Sequence, residues 1–335
     1  MAIRNDADRR AAGSEAGPLL TVENLAVDYA SRHRLVRAVD AVSFSLRRGE
    51  TLGLVGESGC GKSSIAMALL ALHDPRNTRV TAQRIDFCGQ SLIDLPESRM
   101  NRIRGNRISL IFQDAATSLN PVFTVGRQLT EILERHTALD AAEIRRTCID
   151  LLGSVGIPAP ERRLSQYPFE FSGGMRQRIL IASAIATRPD IIIADEPTTA
   201  LDVTVQAQVL ETLRRLQNDI EAGMLLITHN LGMVAQTCQR VLVLYAGGVV
   251  EEASVDALFD NPLHPYTQGL IKATPRLGRR ERLQSIRGAV PALGNIGAGC
   301  PFVSRCDVAI GRCHHEKPAL TTPEAGRKVA CWVRQ

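Results

Sequence analysis

Between Thr51 and Leu72 the sequence runs Thr-Leu-Gly-Leu-Val, then Gly56-Glu57-Ser58-Gly59-Cys60-Gly61-Lys62-Ser63-Ser64, then an apolar stretch from Ile65. This is G-x-x-x-x-G-K-S between a strand-like and a helix-like segment. In that context glycines let the backbone wrap a phosphate and turn its N–H groups inward at a helix start. Lys62 has the reach and charge for β- and γ-phosphates, and the Ser63 hydroxyl suits Mg²⁺. A Gly-rich turn with a chance Lys-Ser pair is the plain alternative, and the flanking segments argue against it. Cys60 sits at a variable position of the motif and needs no chemistry of its own.

A phosphate loop specifies a nucleotide; a second, acidic site specifies a reaction. Ile191-Ile192-Ile193-Ala194 reads as a buried strand that ends on Asp195 and Glu196. Adjacent carboxylates there suit divided labour, with Asp195 holding Mg²⁺ through water and Glu196 polarising an attacking water. Ser172-Gly173-Gly174-Met175-Arg176-Gln177 opens a long helical run. Ser172 can cap that helix, and the bare amides of Gly173 and Gly174 can receive an anion.

The elements that must position these groups follow from periodicity. Leu20–Tyr29, Val42–Leu46, Thr51–Val55, Arg84–Cys88 and Ile108–Phe112 read as strands. From Thr124 to Ala186 the period is helical, broken at Pro158, Pro160 and Pro168. The continuous apolar runs at 191–194, 224–228 and 241–245 suit strands covered on both faces, as in a parallel sheet. Past Asn261 periodicity fades and Pro, Gly and Arg rise, which places a boundary between Leu258 and His264. No internal repeat is visible.

Composition narrows the class. The 335 residues carry 44% hydrophobic and 22% charged side chains, ordinary for a chain with a packed core. Net charge is +5 and aromatics are 4%, so neither a basic patch nor a stacking platform for nucleic acid stands out. No apolar run reaches the roughly 20 residues that cross a bilayer. Residues 1–18 are polar and lack an apolar segment; they are expected to be a disordered tail rather than a secretory signal. A cytosolic setting keeps thiols reduced. Cys60, Cys88, Cys148 and Cys238 are scattered and read mostly as small buried hydrophobes. Cys300, Cys306, Cys313 and Cys331 crowd into the last 36 residues, spaced C-x5-C-x6-C-x17-C. Four thiolates are the right number for a [4Fe–4S] cluster or a tetrahedral Zn²⁺, although the spacing matches neither common zinc-finger nor ferredoxin patterns. Free thiols and a disulfide are the alternatives.

The Ser-Gly-Gly segment just before Asp195-Glu196, with Gln113 earlier and His229 later, resembles the ATP-binding cassette (ABC) family. The resemblance implies an α/β fold: a P-loop NTPase cassette with a mixed β-sheet core and a helical subdomain, plus a small loop-rich C-terminal extension. It implies a cassette over residues 19–260, a helical subdomain over about 115–186 and an extension over 261–335. Two cassettes pair head to tail in this family, each ATP lying between one subunit's phosphate loop and its partner's Ser-Gly-Gly segment. Gln113 then matches the glutamine that contacts Mg²⁺ and water, and His229 the switch histidine at the γ-phosphate. Ala200-Leu201-Asp202 resembles the loop that crosses the dimer seam. Tyr29 resembles the aromatic that stacks on adenine, although a Tyr at a strand end also reads as core edge. Gln177 falls within the same Ser172–Gln177 segment.

Phe112–Pro121, Ala194–Gln208 and His264–Leu270 look like the oligopeptide/dipeptide permease branch, and the likeness runs from Leu19 to Trp332. Departures are Ala115, Phe169 and Phe171, none a catalytic group. Some members of that branch carry an iron–sulfur cluster in the extension, which favours iron at the four cysteines. The resemblance further implies an ATPase that powers import of peptides or related small solutes. Its partners would be a homologous ATPase subunit in a heterodimer, two transmembrane permease subunits docking near Gln113–Pro121, and an extracytoplasmic solute-binding protein, with no nucleic acid. It would lie at the cytoplasmic face of the inner membrane. ABC ATPases of nucleic-acid repair or translation are the rival class; they usually carry two cassettes or long coiled-coil insertions, and neither is present.

Overall fold

The structure is a computed structural model, which describes residues 17–31, 34–199, 201–274, 285–292, 294 and 296–334. The expected tail at 1–18 therefore lies almost wholly outside the described residues, as does Ala200. In chain order the strands are β1 (Leu20–Ser31), β2 (Arg34–Leu46), β3 (Thr51–Val55), β4 (Thr78–Thr81), β5 (Arg84–Phe87), β6 (Gln90–Ser91), β7 (Ile108–Ile111), β8 (Ile191–Asp195), β9 (Gly223–Thr228), β10 (Arg240–Tyr245), β11 (Gly248–Ser254), β12 (Thr321–Glu324) and β13 (Arg327–Val329). The chain divides into two compact units, one holding residues 20–46, 50–93 and 225–335, the other 47–49 and 94–224.

The first unit contains two sheets. One has the order β2-β1-β5-β6, with β4 also paired to β1, and all of these pairings are antiparallel. The other runs β12-β13-β11-β10-β3-β9. Within it β10 lies parallel to β3, Val241 opposite Gly53 and Val243 opposite Val55. Every residue of β3 and β9 is buried. Their unbroken apolar character thus marks strands covered on both faces. β11 turns back antiparallel on β10 through the tight Ala246-Gly247 connection, where both residues have positive φ.

The tail beyond Asn261 is less separate than its composition suggests. β13 pairs antiparallel with β11, Glu251 opposite Val329, so the chain end extends the central sheet. Glu251 is fully buried and accepts from the backbone N–H groups of Leu263 and His264, and the Arg327 guanidinium stands 3.4 Å away. One buried carboxylate thereby holds the start of the tail and its end.

The second unit is mainly helical, with β7 and β8 as a parallel pair, Ile108 opposite Ile191 and Ile111 opposite Ala194. Its helices include Val125–His136, Ala141–Ser154, Gly173–Ile185 and Val203–Ile220. Asp140 and Glu143 close a reciprocal capping box at the second of these. Apolar side chains Leu129, Leu133, Ile144, Cys148 and Leu152 are buried, the stripe that the 3.6-residue period predicts. Asp190, 4% exposed, receives hydrogen bonds from Arg48 and Arg107 and so anchors the entry to β8. Among the described residues no helix is long and apolar enough to cross a membrane.

Candidate functional site

In the first unit β3 delivers the chain into the loop Gly56–Ser63, and the helix Lys62–Leu69 carries it out. Two glycines are dictated by close approach. A Cβ on Gly56 would lie 2.3 Å from the Leu244 carbonyl oxygen, and one on Gly61 would lie 2.4 Å from that of Ala38. Gly61 also has φ of +101°, and it stands at the helix start with no side-chain cap. No side chain caps this helix start, an arrangement whose first-turn amides can receive an anion. Lys62 is 6% exposed; its Nζ donates to the carbonyl oxygens of Gly56 at 2.8 Å and Glu57 at 3.1 Å. The ammonium is thereby held inside the loop it is expected to complete. Ser58, Gly59 and Ser63 are exposed, and Cys60 is buried. Burial pushes the Cys60 thiol up, with Lys62 opposing, so it stays a neutral filler.

Ser64 and Tyr29 meet at 2.8 Å, oxygen to oxygen, and the Tyr29 ring packs edge-on against His73 with centroids 5.6 Å apart. His73 Nε2 in turn donates to the Ser64 carbonyl at 2.9 Å. Tyr29 is therefore tied to the helix that follows the loop, and it remains half-buried. His229 is exposed directly after β9. The turn that carries it is fixed by Thr228, which accepts from Asn230 N–H at 3.0 Å, and by Asn230, which caps the next helix.

In the second unit Gln113 follows β7 and Glu196 follows β8. Gln113 Nε2 donates to Glu196 Oε2 at 2.9 Å, and the Thr199 hydroxyl donates to the same oxygen at 2.9 Å. Glu196 adopts φ of +47°, a left-handed conformation that is costly for a residue with a Cβ. The half-buried Asp195 closes β8. Thr199, which steadies Glu196, carried no signal of its own beyond its place behind the two carboxylates.

The same unit presents the Ser-Gly-Gly segment. Ser172 caps the Gly173–Ile185 helix, its side chain accepting from Met175 N–H at 3.4 Å. A Cβ on Gly174 would come within 2.6 Å of Val205 Cγ1, so a side chain there would drive apart two crossing helices. Asp202 caps the Val203–Ile220 helix through Val205 N–H at 3.0 Å. Gln177 is 2% exposed and thus buried within its helix, away from the exposed end where Ser172 and Gly173 lie. Phe171 packs inside under the Arg163 guanidinium, whereas Phe169 is 69% exposed and stacks on Tyr167.

The four C-terminal cysteines converge. Cys300, Cys306, Cys313 and Cys331 line one small cavity together with His264, Phe302 and Trp332. Backbone approach is close there: Cys300 N–H donates to the Cys313 carbonyl at 2.7 Å. Burial, reinforced by the neighbouring cysteines, pushes the Cys300 thiol up to about 11. All four are free of disulfides. Among the described residues no group of His, Cys, Asp or Glu has the spacing of metal ligands. The thiols match an iron–sulfur cluster or zinc in kind, number and convergence, but they are not drawn together as a ligand set. Of the remaining cysteines, Cys60, Cys148 and Cys238 are buried as expected, whereas Cys88 is exposed at a turn.

Two contacts on the Gly56–Ser63 loop were not legible in the sequence. Tyr266 Oη accepts from Glu57 N–H at 2.9 Å, and Arg305 grips the Glu57 carboxylate at 2.7 and 3.0 Å.

The chain is similar to known proteins. Residues 39–199 match the ABC transporter family, and residues 250–313 match the family described as oligopeptide/dipeptide transporter, C-terminal region. The chain is 46% identical over 326 residues to a probable peptide ABC transporter ATP-binding protein of Sinorhizobium fredii, covering 97% of each. It is 46% identical to the dipeptide transport ATP-binding protein DppD of Bacillus subtilis, covering 94% of this chain and 95% of that one. Among solved structures, the dimeric bacterial ABC transporter cassette MJ0796 aligns with a TM-score of 0.62 at 26% identity, covering 70% of this chain and 98% of the cassette. A dimeric post-hydrolysis state of the same cassette, bound to ADP and Pi, aligns with a TM-score of 0.60 at the same identity and coverage. Sequence likeness along almost the whole chain, a matching C-terminal region and the shared cassette fold agree: this chain is an ATPase belonging to the ATP-binding subunits of ABC transporters, in the oligopeptide/dipeptide branch.

Proposed function

We propose that this subunit drives import of peptides or closely related small solutes, as the names of its relatives suggest for those proteins. It would do so with a homologous ATPase subunit, two transmembrane permease subunits and an extracytoplasmic solute-binding protein, from the cytoplasmic face of the membrane. A nucleic-acid role is not favoured, because the C-terminal region matches transporters.

The observation that carries the chemistry is the bond between Gln113 and Glu196, residues 83 apart that were singled out by separate motifs. In this reading Glu196 takes a proton from the attacking water, and Gln113 fixes its carboxylate and would contact Mg²⁺ and that water. Lys62 exchanges the Gly56 and Glu57 carbonyls for phosphate oxygens, so its positive charge needs little reorganisation. The backbone of Gly56–Ser64 cradles the β-phosphate, His229 contacts the γ-phosphate and Tyr29 borders the adenine. Ser63, Gln113 and Asp195 are hard oxygen donors of the kind Mg²⁺ takes, and the bound ion would offset phosphate charge. Ser172, Gly173 and Gly174 would close on the nucleotide of the partner cassette, with Asp202 at the seam and Gln177 supporting the helix from within.

The cysteine cavity is read as the seat of a [4Fe–4S] cluster, with Zn²⁺ the alternative. The support is four thiols facing one cavity in a loop-rich region that has little core of its own. Such a group would staple that region together.

Glu196→Gln tests the reaction. It preserves shape and one acceptor oxygen but removes the base, so hydrolysis should fall by roughly 10²–10⁴-fold while ATP binding persists. The ATP-bound variant should elute as a closed dimer. Hydrolysis at the wild-type rate would remove Glu196 from the mechanism.

A further inference from the structure

Glu57 is a non-glycine position of the phosphate loop whose side chain is engaged from outside the loop. Arg305 meets it in a two-pronged ion pair, Nη1 to Oε2 at 2.7 Å and Nη2 to Oε1 at 3.0 Å. The Arg305 side chain is 3% exposed. Its Nε donates to the Arg287 carbonyl at 2.9 Å, and its guanidinium lies 5.7 Å from the Tyr245 ring centroid and 5.8 Å from that of Phe302. A planar fork so fixed has one orientation open to it. The backbone of the same residue is held from a second direction, because Glu57 N–H donates to Tyr266 Oη. Tyr266 is fully buried, and with Tyr245 and Phe302 it forms a triangle of rings with centroids 4.6 to 5.5 Å apart. Phe302 and Arg305 both fall between Cys300 and Cys306. All these residues belong to one compact unit.

We propose that Arg305 and Tyr266 are positioning residues for nucleotide binding, through which the C-terminal extension holds the phosphate loop in its receptive shape. The carbonyls that Lys62 grips belong to Gly56 and Glu57, so a shift of Glu57 moves both the lysine and the amides that meet phosphate. Any change that loosens the segment between Cys300 and Cys306 therefore reaches the ATP site in the same chain. This inference rests on Gly56–Ser63 being the phosphate loop.

The test uses the purified full-length chain with a fluorescent ATP analogue and Mg²⁺ for affinity, and the assembled transporter for steady-state hydrolysis. Arg305→Ala should raise Kd and KM for ATP about fivefold or more, a usual size for coupling between distinct sites, with kcat within about twofold of wild type. Arg305→Lys should recover part of the loss, and adding Glu57→Ala to Arg305→Ala should add nothing further. Tyr266→Phe keeps the ring packing and removes only the acceptor; it should also raise Kd, and it carries the test if Arg305→Ala fails to fold. Unchanged Kd and KM in Tyr266→Phe and in folded Arg305→Ala would overturn the proposal, as would additive effects of Arg305→Ala and Glu57→Ala. Lys62→Ala separates the two levels. If it abolishes binding while Arg305→Ala leaves Kd unchanged, the inference falls and the phosphate loop stands; if it binds ATP normally, both fall.

Discussion

Gly61→Ala and Gly59→Ala make a matched pair that isolates what close approach contributes to the phosphate loop. Both glycines have positive φ, +101° and +79°, so alanine at either is placed in the left-handed region, at a cost of about 1–2 kcal/mol. There the likeness ends. A Cβ on Gly59 meets nothing within 4 Å, whereas one on Gly61 would stand 2.4 Å from the Ala38 carbonyl oxygen. Contacts that short do not survive, and the obstacle is backbone, so the loop must move. Forcing such a shift in packed surroundings adds about 1–3 kcal/mol. Gly61→Ala should therefore destabilise the unit by about 2–5 kcal/mol and Gly59→Ala by only the first part. The displaced amides also lose hydrogen bonds to a charged phosphate, each contributing about 1.5–3 kcal/mol, so ATP affinity should drop by roughly 10–100-fold in Gly61→Ala. Urea denaturation of the apoprotein reads the first quantity, and titration with a fluorescent ATP analogue the second. Equal stability and equal affinity in the two variants would refute the assignment of Gly61 to steric necessity.

His264 predicts an acid sensitivity. Its imidazole caps the Pro265–Ala273 helix by accepting from Tyr266 N–H, and burial holds it neutral, its pKa pushed down to about 3. The unfolded chain binds that proton near the ordinary value of about 6.5. Stability is thus whole above that value and falls as pH drops toward 3, by up to about 1.4 kcal/mol per pH unit. His264→Asn keeps a capping acceptor and should flatten the slope; an identical slope in urea titrations of both proteins would exclude His264 as the source. At the four cysteines, anaerobic purification should give a brown protein with broad absorbance at the blue end of the visible range. A colourless protein with stoichiometric zinc would reject iron.

What the sequence disclosed and what it withheld divide along a physical line. Local motifs were legible because each is a backbone requirement written in residue type: Gly61 where no Cβ fits, Ser172 and Asp202 where helix starts need an acceptor, unbroken apolar runs where a strand is covered twice. β3 appears with the predicted bounds, and β8 to β10 differ by a residue at an end. Short exposed strands such as β4 and β12 were missed, for they bury almost nothing and leave no period. The pairing of β13 with β11 was invisible for a different reason. It depends on a contact across some 76 residues, and only the buried Glu251 with Arg327 reveals it. Arg305 belongs to the same class. In the sequence it is one arginine beside a cysteine; in the fold it is the partner of Glu57, 248 residues away. Motif reading finds groups that chemistry demands at fixed spacing, whereas the groups that hold those motifs in shape come from wherever the chain returns. The extension, whose composition reads as loosely attached, supplies both residues that hold Glu57 in place from outside the loop.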